Sequence, residues 1–115
     1  MEDTCKEVHA VLGVGFRESI YQTALAVELR SRGHHVDTEC VIPVKYKNAY
    51  VGNIRCDLII DHDIIVESKA ISKISEKERH QIRQYLRTTD LKEGYLVNFG
   101  IKLEVEHFQC LQSST

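Results

Sequence analysis

No apolar run in these 115 residues approaches the roughly 20 needed to span a bilayer. The opening MEDTCKEVHA has neither the basic start nor the apolar stretch of a secretory signal. Both absences predict a location inside the cell, in the cytoplasm or, in a eukaryote, the nucleus. Cys5, Cys40, Cys56 and Cys110 are scattered, with no C-x-x-C and no close Cys/His pair. Zinc-finger spacing and a disulfide framework are therefore missing, and the thiols read as free and buried. The histidines, including the adjacent His34 and His35 in a turn, get the same plain reading. Internal repeats, low-complexity tracts and linkers are absent too, so residues 1–115 form one domain around a single core. Charge of one sign is also lacking: 15 Lys and Arg against 17 Asp and Glu leave a net −2, and any grip on nucleic acid must come from a local patch.

Proline occurs once, as Pro43, inside an apolar strand pattern from Val36 to Tyr46, which predicts an edge strand or a bulge. Before that strand, residues 3–12 carry a helical pattern with Val8, Val11 and Leu12 as its apolar face, interrupted by Gly13 and Gly15. A longer helix is expected from Phe16 to about Arg32, closed by Gly33. Phe16, Ile20, Ala24 and Val27 line one side of it. Glu18, Tyr21, Leu25 and Leu29 line an adjacent side, which puts a glutamate in an apolar stripe.

After a turn at Lys47-Asn48, a strand beginning at Tyr50 leads into the stretch with the densest chemistry. Leu58 to Ile60 and Ile64 to Val66 flank a polar Asp61-His62-Asp63 tip, the pattern of a hairpin. Alternation puts Arg55 and Asp57 on one face of the first strand, and Glu67 and Lys69 on one face of the second. A three-residue loop sets Asp57 opposite Glu67 and Arg55 opposite Lys69. Opposed carboxylates about 5 Å apart repel. A divalent cation between them would turn that cost into a site, because Mg²⁺ favours one or two carboxylates with water and phosphate oxygens. The plainer alternative is a solvated edge hairpin whose acids pair with Arg55 and Lys69.

Beyond Ala70 the period becomes helical. Ser75 with Glu78 forms a capping box for a helix from about Glu76 to Thr89. Its apolar centre is Ile82 and Leu86, with Gln81 and Tyr85 on one flank and Arg79, Arg83 and Arg87 on the other. That arginine row is either a phosphate contact or a solvated helix face. Tyr95 to Phe99 and Leu103 to Phe108 read as two final strands around Gly100, and residues 109–115 as a frayed tail. The order α-β-β-β-α-β-β suits a three-layer α/β sandwich, a mixed sheet with helices on both faces.

An acid in the first helix, an Asp on the second strand and E-x-K on the third resemble the PD-(D/E)XK nuclease superfamily. Gly15-Phe16-Arg17-Glu18-Ser19-Ile20-Tyr21 resembles the motif that names its GxxExxY branch. The likeness continues through Arg55-x-Asp57, Glu67-x-Lys69, Gln81-x-x-x-Tyr85 and Tyr95 to Gly100, nearly the whole chain. Cys56 stands where the motif's name has proline. The resemblance implies a restriction-endonuclease-like fold, with Asp57, Glu67 and Glu18 as metal ligands and Lys69 as the catalytic lysine. Gln81 and Tyr85 match the QhxxY motif of RecB-like members, which helps to place lysine or substrate. It implies Mg²⁺, with Mn²⁺ able to substitute, and no iron–sulfur cluster, since only Cys110 follows the core.

The expected function is metal-assisted hydrolysis of phosphodiester bonds, in DNA rather than RNA, structure-selective or non-specific rather than sequence-specific. A homodimer would supply the two sites needed to cut a duplex. The competing expectations are a catalytically weak module that binds nucleic acid or protein on the same fold, and a purely structural domain.

Overall fold

β-branched and apolar residues around Asp61-His62-Asp63 build the central hairpin: Ile60 pairs with Ile64, Ile59 with Ile65 and Leu58 with Val66. The tight loop is possible because Asp61 (φ 51°) and His62 (φ 65°) take left-handed backbone, which Asp and His enter more readily than most side chains. The computed structural model describes residues 1–110. Its elements are α1 (Glu2–Leu12), α2 (Glu18–Ser31), β1 (Val36–Tyr46), β2 (Ala49–Ile60), β3 (Ile64–Lys69), α3 (Glu76–Thr89), β4 (Glu93–Phe99) and β5 (Leu103–Gln109). The strands form one mixed sheet in the order β1-β2-β3-β4-β5, antiparallel except for β3/β4. A parallel pair needs a crossover, and α3 provides it.

Neighbouring strand residues feed opposite faces. Val66 and Val97 pack with Tyr21, Leu25 and Leu29 of α2 and with Cys5 and Val8 of α1. Ile65 packs with Leu86 of α3, and Leu96 with Ile82 of α3. The sheet is thus covered on both sides, as the element order predicts. Each such side chain, taken fully out of water, contributes about 1.5–3 kcal/mol. The α3 start is held as expected: Glu78 accepts from the Ser75 N–H at 2.7 Å and completes the capping box. No helix among the described residues is long and apolar enough to cross a membrane.

Several boundaries and faces differ from the sequence pattern. α2 begins at Glu18, and its buried residues are Tyr21, Leu25, Ala26 and Leu29, while Phe16 and Val27 remain exposed. In α1 the buried residues are Thr4, Cys5 and Val8, and Val11 is 71% exposed. A helix packs the stripe that its neighbours cover, and α1 meets α2 and β5. β1 is an edge strand, as Pro43 requires, with a register shift between Val44 and Lys45. β5 continues to Gln109, which pairs with Glu93, and the Cys110 N–H donates to Lys92 O at 2.7 Å. Residues 109 and 110 are therefore held by β4 and its approach, not frayed; the rest of the predicted tail lies outside the described residues.

Candidate active site

Ladder pairing between β2 and β3 stops at Leu58 and Val66. At the next position side chains take over from backbone. The Asp57 N–H donates to Glu67 Oε2 at 2.8 Å, and Ser68 donates to Asp57 Oδ2 from its N–H at 2.9 Å and its hydroxyl at 3.2 Å. The structure thus brings together the two acids that the hairpin register sets opposite each other. Main-chain donors, which favour the ionised form, offset part of their repulsion. Strict alternation fails here: Cys56 packs on the α3 side and Leu58 on the α2 side. The break coincides with Glu39 on β1, whose φ of 51° interrupts the pairing between Thr38↔Leu58 and Cys40↔Cys56. Asp57 sits at this change of face.

Arg55 and Lys69 do not pair these acids. Arg55 is solvated and lies 3.9 Å from Glu39, an exposed pair of little energetic weight. Lys69 turns to α3, where its Nζ donates to Gln81 Oε1 at 3.1 Å. Gln81 Nε2 in turn donates to the Tyr85 hydroxyl at 3.4 Å. One helical turn separates Gln81 from Tyr85, so both reach the same side of the site.

Glu67 is 4% exposed. Burial, followed by the charge of Asp57, pushes its carboxyl up to about 8, against the opposing pull of the Asp57 N–H and Lys69. Glu18 adds to the rise, as the last of the causes. Burial and then Glu67 also raise the Tyr85 phenol. Burial, aided by Glu67, pushes the Cys56 thiol up to about 12, which leaves it an inert packing group.

Glu18 lies in the exposed first turn of α2, and its carboxylate does not join those of Asp57 and Glu67 in a cluster with donor atoms within 4.8 Å. One turn later Gln22 Nε2 donates to Asp57 O at 3.3 Å, which ties that helix to β2. The start of α2 is set by Tyr21. Its hydroxyl donates to Gly13 O and accepts from the Phe16 N–H, while its ring stacks on Phe99 at 4.8 Å. Gly13 and Gly15 have φ of 74° and 104°, a backbone that side chains resist. The glycines and tyrosine around Glu18 therefore fix the turn that precedes it. Among the described residues Glu18 makes no hydrogen bond to Asp57 or Glu67.

The arginine row divides. Arg79 grips Glu106 through two hydrogen bonds of 2.8 and 2.9 Å and Glu76 through a third of 2.7 Å. Those partners hold its guanidinium well above its ordinary value. In sequence the row reads as a phosphate contact or a solvated face; at Arg79, β5 supplies an acid that only the tertiary fold places beside it. Arg83 lies 5.3 Å over the Phe108 ring. Arg83 and Arg87 line an open groove of about 520 Å³ with Lys77, His80, Gln81 and Gln84.

A family model described as the PD-(D/E)XK nuclease superfamily matches residues 1–109. The chain belongs to the PD-(D/E)XK nuclease superfamily. Its restriction-endonuclease-like fold is also seen in the crystal structure of SSO0001, at a TM-score of 0.63 and 18% identity. That alignment covers 84% of this chain and 52% of the other, so this chain spans about half of that protein. A comparison with curated proteins finds no match. The superfamily is one of nucleases, a class of enzymes that act on nucleic acid.

The donor set fits a divalent metal ion. Asp57 uses Oδ2 and Glu67 uses Oε2 for the hydrogen bonds across the strands, and the second oxygen of each has no hydrogen-bond partner among the described residues. Two hard carboxylate oxygens suit Mg²⁺, and a nearby cation would stabilise the ionised form of Glu67. Other residues around the candidate site carry little sequence signal. Asn98, fully buried, accepts from Ile71 N–H at 2.9 Å and donates to Ile71 O at 2.9 Å and Glu104 Oε1 at 2.8 Å. Glu104 Oε1 also accepts from Ile74 N–H at 3.1 Å. A Cβ at Gly100 would collide with Ile71 O. Together they clamp the segment between Lys69 and α3. An asparagine inside an apolar strand was the signal available.

Proposed function

We propose that this chain is a Mg²⁺-dependent nuclease that hydrolyses DNA, with Mn²⁺ able to replace Mg²⁺ and RNA the poorer substrate. The observation that carries this reading is the buried Glu67 facing Asp57, with Lys69 held close by on the α3 side. Asp57 and Glu67 would hold the ion, with Glu18 as a further or water-mediated ligand. When bound, such an ion activates water and neutralises charge developing at phosphorus. Gln81 Oε1 steadies the Lys69 ammonium, and the Tyr85 hydroxyl takes the Gln81 amide N–H, so the carbonyl faces the lysine. Lys69 then orients the attacking water or steadies the charge developing on the phosphoryl oxygens. Phosphates of the strand would run along Lys77, His80, Arg83 and Arg87, contacts that carry no sequence information. Two copies would be needed to cut both strands of a duplex at once.

The test is calorimetric titration of Mg²⁺ and Mn²⁺ into the protein and its Asp57→Asn/Glu67→Gln variant, with cleavage of labelled single- and double-stranded DNA and RNA. Metal binding and DNA cleavage that both vanish in the variant are expected. A wild type that binds neither ion and cuts nothing overturns the proposal. The α3 groove favours a second reading, a binding module without catalysis; strand binding without cleavage in both proteins would select it.

A further inference from the structure

Beyond Asp57, roughly 10 Å of β2 leads to the hairpin loop, where a different set of donors converges. His35 Nε2 lies 3.2 Å from each carboxylate oxygen of Asp37. His62 Nδ1 lies 3.9 Å from Asp37 Oδ2. One donor atom from each of the three residues falls within 4.8 Å of the others. The two imidazoles stack, centroids 4.4 Å apart at 25°, with a nitrogen of each near the same carboxylate.

These residues come from separate turns that the fold locks together. The His35 N–H donates to Asp61 Oδ1 at 2.9 Å, and the Asp61 N–H donates to His35 O at 2.8 Å. Asp61 Oδ2 is engaged by His34 Nδ1 at 2.7 Å. His34 and Asp61 thus hold the frame and leave His35, Asp37 and His62 as the donors. Metal–ligand bonds of about 2.0–2.2 Å put neighbouring donors about 3–3.5 Å apart. Only rotation of exposed side chains is needed to reach that spacing, since His35, Asp37 and His62 are 54%, 49% and 74% exposed.

We propose that His35, Asp37 and His62 form a second metal site, separate from Asp57 and Glu67, that takes a borderline transition-metal ion, Zn²⁺ in the first place. Two imidazoles and a carboxylate suit Zn²⁺, Ni²⁺ or Cu²⁺ and are a poor set for Mg²⁺. Solvent fills the remaining coordination positions. The ion staples the turn after α2 to the tip of the hairpin whose strands carry Asp57 and Glu67.

The experiment is calorimetric titration of Zn²⁺ at pH 7.5 into the tag-free chain, with Co²⁺ absorption reporting the ligand field and thermal unfolding recorded with and without Zn²⁺. The proteins compared are wild type, His62→Ala, Asp37→Asn, His80→Ala as a surface-histidine control, and Asp57→Asn/Glu67→Gln. One Zn²⁺ per chain is expected in wild type, the control and the active-site variant, with at least tenfold weaker binding in His62→Ala and Asp37→Asn. Zn²⁺ should raise the unfolding temperature of wild type and not of His62→Ala, whose circular dichroism should match wild type. The proposal falls if wild type binds no Zn²⁺, if His62→Ala binds it as tightly, or if the active-site variant loses it. Only the last of these would assign the ion to the nuclease site.

Discussion

Glu67 makes the folded protein sensitive to pH in a definite direction. Its folded value of about 8 lies above the ordinary 4.5, so the native state binds more protons than the unfolded state between those limits. Its contribution is fully present below pH 4.5 and is lost as pH rises through 8. Metal-free protein should therefore lose stability across that window, at up to about 1.4 kcal/mol per pH unit. Urea unfolding in EDTA from pH 4.5 to 8.5 would show the decline, and Glu67→Gln should remove most of it. Mg²⁺ should flatten it too, because a cation favours the ionised form. Tyr21 gives a second residue-scale prediction. Tyr21→Phe keeps the stacking on Phe99 and loses both hydrogen bonds to the glycine turn, at a cost of about 1 kcal/mol. If those bonds aim Glu18, cleavage at saturating substrate should fall further than stability alone explains; an unchanged rate at a temperature where the variant is folded would remove Glu18 from the site. The hairpin register was legible in residues 57–67, since a three-residue loop between apolar runs leaves one alignment. The rescue of that acid pair by Ser68 was not, because a serine hydroxyl beside a carboxylate has no periodicity to read.

α3 does two jobs with different faces. Ile82 and Leu86 bury against the sheet, while Gln81 and Tyr85 present polar atoms toward Lys69. Gln81→Leu should leave the helix intact, as Leu is a good helix former, and free the lysine from its only side-chain hydrogen bond among the described residues. The expected result is a kcat lowered about 10- to 100-fold, with KM for DNA little changed. The helix boundaries and capping box of α3 were readable from Ser75 and Glu78, since caps are local. The fate of Arg79 was not: its partner Glu106 lies 27 residues away on β5.

Across the whole molecule, net charge is −2, and the proposed track of the strand is the groove lined by Lys77, His80, Arg83 and Arg87. Lys77→Ala/Arg87→Ala should weaken strand binding at low salt and reduce the steepness of its salt dependence, by about one unit of log–log slope for each phosphate no longer neutralised. Arg79→Ala should instead leave the slope unchanged and lower thermal stability, because Arg79 spends its donors on Glu76 and Glu106. Fluorescence anisotropy of labelled DNA over a salt series separates the two outcomes. Equal slopes in all three proteins would take the strand off this groove.

The sequence by itself determined the elements, the hairpin register and the presence of two opposed acids, because all three depend on contacts within a few turns or one loop. Tertiary structure decided the rest. It turned Lys69 toward Gln81, reversed the face of β2 at Asp57, buried Cys5 in place of Val11 and brought His35 to His62. Each of these joins residues on different elements, where packing against a distant neighbour, and not local propensity, sets which side chain is covered and which is free.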